Sequence, residues 1–444
     1  MGKPTVYEVS YMISRDKYLN LLVSKMGNGK IKIVTGIRRC GKSVLVNEIF
    51  YKYLIDSGID DAHIIKLSLE EGANAKYRNP LYLDEHLRSL ISDQDMYYIL
   101  LDEIQNVVSI KNPWIDDADT DDRIGFPDIL MGLMKIKNVD LYVTGSNSKM
   151  LSTDVVTQFR DRGDEIHLNP LSFKEFYDAY TGDKDDIWRE YYTYGGLPRI
   201  LEFKTHKEKA DYLTNLFHNT YLKDVMERHD IRNDEDVLDD LLNIISSSIG
   251  SLNNPARIAN TFQSEKHKNV AAETVKQYLT YFEEAYLISK AKRYDVKGRK
   301  YIDTPLKYYF TDVGLRNARL NYSQLEENHI MENIIYNELV IRGYSVDVGV
   351  VEYQYRTADK KKTKVQLEVD FVAKDAGDTY YIQSALNVDT DDKREQEINS
   401  LKRIKDSFKK IVVVKDHIMP YKDENGILFI GIKDFLLQEY SMQI

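Results

Sequence analysis

A short β-branched run, Ile31–Thr35 (IKIVT), leads straight into Gly36-Ile-Arg-Arg-Cys-Gly41-Lys42-Ser43, and this junction limits the possible folds more than anything else in the chain. The spacing is G-x-x-x-x-G-K-S. Its two glycines let the backbone wrap so that successive N–H groups face phosphate oxygens, while Lys42 can reach the β- and γ-phosphates and Ser43 can ligate Mg²⁺. A helix behind the loop adds a positive N-terminus. That helix is written in Val46, Ile49, Phe50, Tyr53 and Leu54, spaced i, i+3, i+4, i+7, i+8, with Gly58 placed to end it. The pattern predicts an α/β nucleotide-binding domain whose phosphate cradle comprises Gly36, Cys40, Gly41, Lys42, Ser43 and Val44.

A second signal agrees. Tyr97-Tyr-Ile-Leu-Leu-Asp102-Glu103 reads as a buried parallel strand that delivers two acids at its C-terminal edge. Asp102 is suited to hold Mg²⁺ through water, and Glu103 to polarise an attacking water. A third strand, Leu141-Tyr-Val-Thr-Gly-Ser146-Asn147, ends in small polar residues where a γ-phosphate sensor would sit. Cys40 fits the loop as a small residue, and its neighbours Arg38, Arg39 and Lys42 also suggest a lowered thiol pKa and a reactive sulfur. The run Asp116-Asp-Ala-Asp-Thr-Asp-Asp122 lacks the Gly and closing Glu of a Ca²⁺ loop and reads as a solvated acidic loop.

Charge and composition exclude several classes. Over 444 residues, 61 Lys and Arg stand against 71 Asp and Glu, a net charge of −10, so bulk charge recruits neither nucleic acid nor an anionic membrane. The single cysteine, Cys40, precludes an intrachain disulfide and suggests a reducing compartment. The opening MGKPTVYEVSYMISRDKY has no apolar core of a signal segment, and no run approaches the ~20 apolar residues of a membrane span. The expectation is a soluble cytoplasmic chain with no membrane partner.

From about 172 to 250 the pattern is helical. Asn254-Pro255 then supplies a cap and a first-turn proline for a helix, and a second helix at about 271–286 buries Val275, Tyr278, Leu279, Phe282 and Tyr286, leaving Thr274, Gln277 and Tyr281 outward. Two strand-like segments, Leu287–Tyr294 and Lys307–Thr311, flank a turn near Gly298. Helix, helix, two-stranded wing is the order of a winged helix-turn-helix. Residues 286–310 hold seven basic residues (Lys290, Lys292, Arg293, Lys297, Arg299, Lys300, Lys307) and two acidic ones, an isolated basic segment in an acidic chain. Such a wing can contact duplex DNA, or the unit can serve as an interdomain module. Further on, a helix carries Glu338 one turn after Ile334, Ser345–Gln354 is β-rich, and alternation in Gln366-Leu-Glu368-Val-Asp370-Phe puts Glu368 and Asp370 on one strand face.

The segments TGIRRCGKS, LLDEIQNV, VTGSNSKML, FRDRGDEIHLNPLSFKEF and YGGLPRIL, in this order, resemble a family of prokaryotic AAA-type predicted ATPases with a DUF4143-like C-terminal domain of unknown function, nearly end to end. The resemblance implies that Lys42 and Ser43 bind phosphate and Mg²⁺, that Asp102 and Glu103 are the Walker B pair, and that Ser146 or Asn147 is the sensor. Arg160 and Arg162 are candidates for an arginine finger, or surface salt-bridge arginines. It further implies a C-terminal core similar to the PD-(D/E)xK nuclease fold, where a helix Glu and a strand Asp bind Mg²⁺ and a Glu-x-Lys strand completes the site. The sequence departs there, reading Gln383-Ser384-Ala385, so the expectation is an inactive nuclease-like domain used for recognition or assembly. The expected architecture is α/β: a P-loop ATPase core at 1–171, a helical lid at 172–233, a winged helix at 234–318 and a restriction-endonuclease-like α/β domain at 328–444. The expected function is Mg²⁺-dependent ATP hydrolysis as a conformational switch or motor. DNA association is the first partner reading, and a signalling or assembly ATPase that binds a protein partner is the other.

Overall fold

Near-continuous apolar strands need cover on both faces, and the first part of the chain provides it with a parallel sheet. A computed structural model describes residues 12–115, 122–145, 161–232, 234–356 and 362–444, which divide into one unit ending at Asn169 and another beginning at Pro170. In the first unit, β1 (Ile31–Thr35), β2 (Ile64–Ser68), β3 (Tyr97–Asp102), β4 (Val139–Thr144) and β5 (Gly163–His167) run parallel in the order β2-β3-β4-β1-β5. Every residue of β1, β3 and β4 is buried. The strand before the glycine loop, β1, and the strand bearing the acids, β3, are therefore not neighbours, because β4 lies between them.

The helix behind the loop starts at Lys42–Val44, passes through a π-helical turn at Leu45–Phe50 and continues as Tyr51–Asp56. Val46, Ile49, Phe50 and Leu54 are buried as their spacing requires, and Gly58 takes the left-handed conformation (φ +88°) that closes the helix. One polar group crosses this core. Lys32 on β1 is fully buried and pairs with Asp140 of β4, whose carboxylate also accepts from the Tyr142 hydroxyl at 2.8 Å and the Gly27 N–H at 2.9 Å.

The second unit opens with helices, among them Phe173–Ala179, Ile187–Tyr194, His206–Leu216 and Glu235–Ser247. Between Tyr194 and the next turn, Gly195 and Gly196 lie against Asp312. A Cβ on Gly195 (φ +74°) would stand 2.2 Å from the Asp312 carboxylate, and the Gly196 N–H donates to that carboxylate at 2.7 Å. The glycines of YGGLPRIL thus allow a buried carboxylate to dock on backbone. Burial raises the Asp312 pKa to about 6, despite the backbone N–H groups of Gly196, Leu315, Gly314 and Leu197.

Two further helices follow, α1 (Pro255–Glu265) and α2 (Ala272–Glu284). Asn254 caps α1, its Oδ1 accepting from the Arg257 N–H at 2.7 Å. Then β6 (Ile288–Asp295) and β7 (Lys300–Phe310) form an antiparallel hairpin, followed by α3 (Glu327–Ile341), β8 (Ser345–Arg356), β9 (Lys362–Lys374), β10 (Thr379–Ala385), β11 (Lys409–Val414), β12 (Tyr421–Lys422) and β13 (Leu428–Gly431). All eight strands belong to one sheet, ordered β12-β13-β11-β10-β9-β8-β6-β7. The hairpin is therefore not a free-standing wing. Arg293–Asp295 of β6 pair in parallel with Val348–Val350, satisfying an edge that β8 would otherwise leave open.

Candidate phosphate site and acid pair

Gly36 has φ +139°, and a Cβ there would meet the Leu168 carbonyl oxygen at 2.2 Å; Gly41 has φ +102° immediately before the helix. Both positions require glycine. Lys42 is buried inside the loop, where its ammonium donates to the Gly36 and Ile37 carbonyls at 3.0 and 3.1 Å. Val44 is 40 % exposed just beyond Ser43. Arg15 braces the loop from outside the motif, donating to the Cys40 carbonyl at 3.4 Å and the Asn169 carbonyl at 2.6 Å. No local pattern marks Arg15 in the sequence, since both partners are distant in the chain. Cys40 is fully buried and its thiol donates to the Leu168 carbonyl at 3.4 Å. Burial pushes the thiol pKa up, outweighing the pull of Lys42 and Arg15, which corrects the expectation of a reactive sulfur.

Asp102 ends β3 almost fully buried, and Oδ1 accepts from the Ser43 hydroxyl at 2.9 Å and from the Thr144 hydroxyl. Burial raises its pKa, while those two hydroxyls act in the opposite direction. The next residue, Glu103, takes a left-handed conformation (φ +54°) and its side chain accepts from the Gln105 amide. Its N–H donates to Thr144 Oγ1 at 3.0 Å. One hydroxyl therefore fixes both acids, donating to Asp102 and accepting from the backbone of Glu103. No local pattern marks Thr144 in the sequence; as the last residue of β4 it stands beside the end of β3.

At the same edge, Thr35 Oγ1 is hydrogen-bonded to His167 Nδ1 at 3.1 Å and to Glu165 at 2.7 Å. Desolvation, assisted by the Lys42 charge, lowers the His167 pKa to about 4. Ser146, Asn147, Arg160 and residues 116–121 of the acidic loop lie outside the described residues. Arg162 is exposed at the foot of β5, beside Gly163, which pairs with Ile31 at the opposite end of β1 from the loop. One strand length, roughly 15 Å, separates them. Arg162 rests instead on the Met131 sulfur at 3.7 Å, so the structure does not bring this candidate finger to its own loop.

The C-terminal candidates divide. Glu368 and Asp370 share a face, as alternation predicts, and both approach the Lys307 ammonium, at 2.6 and 3.8 Å. Glu338 does not join them; it pairs with Arg342 at 2.7 Å one turn along α3, and Glu332 takes the expected place. Of the basic hairpin residues, Lys307 is buried, Lys290 pairs with Glu283 at 2.6 Å and Arg293 contacts Gln366 at 3.3 Å. Lys292, Lys297, Arg299 and Lys300 are exposed. Tyr281 is not a free outward group either, since it stacks on His229 with ring centroids 3.5 Å apart.

The sheet order, the glycine loop and the acid pair define an AAA-type P-loop domain. The profile of the AAA domain (AAA_14) matches residues 28–177, and that of a domain of unknown function (DUF8612) matches residues 185–326, giving no support to the DUF4143 likeness or the nuclease-like reading. An uncharacterized protein of Haemophilus influenzae is 32% identical over 433 residues, which cover 96% of this chain and 99% of that protein. The chain belongs to the family of that Haemophilus influenzae protein, with an AAA domain in its first part. Uncharacterized protein MJ1544 of Methanocaldococcus jannaschii is 27% identical over 349 residues, 75% of this chain and 70% of that one. Among solved structures, a Walker-type ATPase of Pyrococcus abyssi gives a TM-score of 0.45 at 12% identity, covering 69% of this chain and 96% of that chain. The Orc1 protein of Aeropyrum pernix in complex with DNA gives 0.34 at 12% identity, covering 71% and 95%. Scores this low carry no argument about function. Among the described residues, no helix is long and apolar enough to cross a membrane.

Thr144→Val keeps the shape and removes the hydroxyl that orients both acids, so nucleotide turnover should fall about 10- to 100-fold with nucleotide affinity nearly unchanged; turnover at the parent rate would contradict this role. A second expectation concerns pH. Because His167 has a folded pKa of about 4 against an ordinary 6.5, protonation favours the unfolded chain, so stability is lost as pH falls from 6.5 toward 4. The urea midpoint should drop between pH 7 and pH 5, and His167→Gln should flatten that drop.

Proposed function

We propose that this protein binds ATP with Mg²⁺ and hydrolyses it, using the cycle as a conformational switch or motor. The observation that carries the reading is the 2.9 Å contact between Ser43 and Asp102, which brings two hard oxygen groups, one from the start of the helix and one from the end of β3, to one point beside the glycine loop. The loop suits a polyphosphate, since Gly36 and Gly41 hold the positive-φ conformations that a tight phosphate-wrapping turn needs and Lys42 keeps its ammonium within the loop. Ser43 and Asp102 are the residues that would hold Mg²⁺, whose bound charge would offset that of the transferring phosphate. Lys42 exchanges its two carbonyl partners for phosphate oxygens. Glu103 takes the proton of the attacking water, and Thr144 keeps that acid in register with Asp102. Arg162 lies a strand length from its own loop, so as a finger it would act on a nucleotide held by another subunit.

Duplex DNA is the partner favoured by one observation, the four exposed cations Lys292, Lys297, Arg299 and Lys300 around the turn of the β6–β7 hairpin. Phosphate contacts from such a group would be sequence-independent and salt-sensitive. Glu103→Gln should retain ATP binding and lose turnover about 100-fold or more, and full turnover in that variant contradicts the assignment. On the DNA reading, duplex DNA raises turnover at low salt and Lys292→Glu with Arg299→Glu removes the effect. Turnover indifferent to DNA favours a signalling or assembly ATPase with a protein partner.

A further inference from the structure

Among the described residues, Lys307 is the most enclosed cation of the second unit's sheet, 2 % exposed in the inner half of β7. Its ammonium lies 2.8 Å from Glu332 of α3, 2.6 Å from Glu368 and 3.8 Å from Asp370 of β9. Each carboxylate is held by something besides the lysine or by its strand. The Tyr309 hydroxyl donates to Glu332 at 2.6 Å, and Gly250 makes room for the same carboxylate, since a Cβ there would stand 2.8 Å from Glu332 Oε2. The Ser384 N–H donates to Asp370 Oδ2 at 2.8 Å, and the Asp370 N–H donates to the Gln383 side chain at 3.4 Å. Glu368, with about a third of its side chain exposed, is the edge of the cluster that opens to water.

Three carboxylates converging on one point form a hard-oxygen ligand set of the kind that binds a divalent ion. Here the point is taken by an amine on a four-carbon tether. Buried carboxylates need compensating charge, and a single ammonium supplies half of what a divalent ion would. Burial, then the Glu332 charge, raises the Asp370 pKa against the pull of Lys307, and although burial alone would lower the Lys307 pKa, Glu332, Asp370 and Glu368 together raise it. The ammonium thus stands where the three carboxylates converge, at the place a cation ligated by them would take. The position the sequence offers for the ammonium, on β10, is Ala385, and the fold delivers the ammonium instead from β7, on the far side of β9, β8 and β6.

We propose that Lys307 stands in the place of a divalent cation, so that the Glu332–Glu368–Asp370 cluster is assembled without metal, and that removing the ammonium converts the cluster into a divalent-cation site. The test uses the full chain without nucleotide in a Ser43→Ala background, which silences the loop, and follows Mn²⁺ by calorimetry and by thermal shift. With Lys307 present, millimolar Mn²⁺ should give no saturable binding and no change in Tm. Lys307→Met should gain saturable binding at least tenfold tighter than the parent, with a rise in Tm that Asp370→Asn abolishes. A parent that already binds Mn²⁺, with affinity lost in Asp370→Asn, overturns the proposal, as does a folded Lys307→Met protein with no gain. Should Lys307→Met fail to fold even with Mn²⁺, the parent titration decides alone: no binding supports the assignment, and Asp370-dependent binding refutes it.

Discussion

The buried carboxylate of Asp102 is the point on which the first unit turns. It accepts hydrogen bonds from a hydroxyl behind the glycine loop and from another at the end of β4, so three segments distant in sequence are tied within a few ångströms. That meeting depends on the order β3-β4-β1, which places a strand between the loop's strand and the acids and sets its terminal side chain, Thr144, against both acids. A one-residue slip of β4 would turn Thr144 to the other face and leave a buried carboxylate with one donor fewer, at a cost of about 1–3 kcal/mol. The depth of the acid and the register of the sheet are therefore one constraint.

What was legible in the sequence is what short-range patterns encode. The glycine loop, the helix behind it and the apolar strand ending in Asp102 and Glu103 are each contiguous, and each forms at the expected residues. Thr144 and Arg15 were not legible, because their roles arise from strand order and from contacts with carbonyls far along the chain. Glu338 shows a signal that was present and outweighed. Its i,i+4 spacing to Arg342 already announces a local ion pair, whereas Glu332, about 240° away around α3, presents a different face.

Charge in the second unit carries the same lesson in energetic form. A sum over 286–310 treats each cation as solvated, yet Lys307 is matched by acids of α3 and β9, and Lys290 by one of α2. The four cations left exposed are grouped near the hairpin turn, so the basic surface is smaller and more localised than the linear count implies. Buried charges answer to the fold, and only those at the surface are available to a partner.

The β6–β7 hairpin has one more consequence. It adds two strands to the C-terminal sheet and sends Lys307 into the heart of the carboxylate cluster, although its sequence follows the α1–α2 helices. A segment rooted in this way cannot be traded between homologues as a cassette. Any recombination crossover between the hairpin and β8 would have to bring compatible acids with a compatible lysine, so the helices, the hairpin and the last domain are constrained to be inherited together.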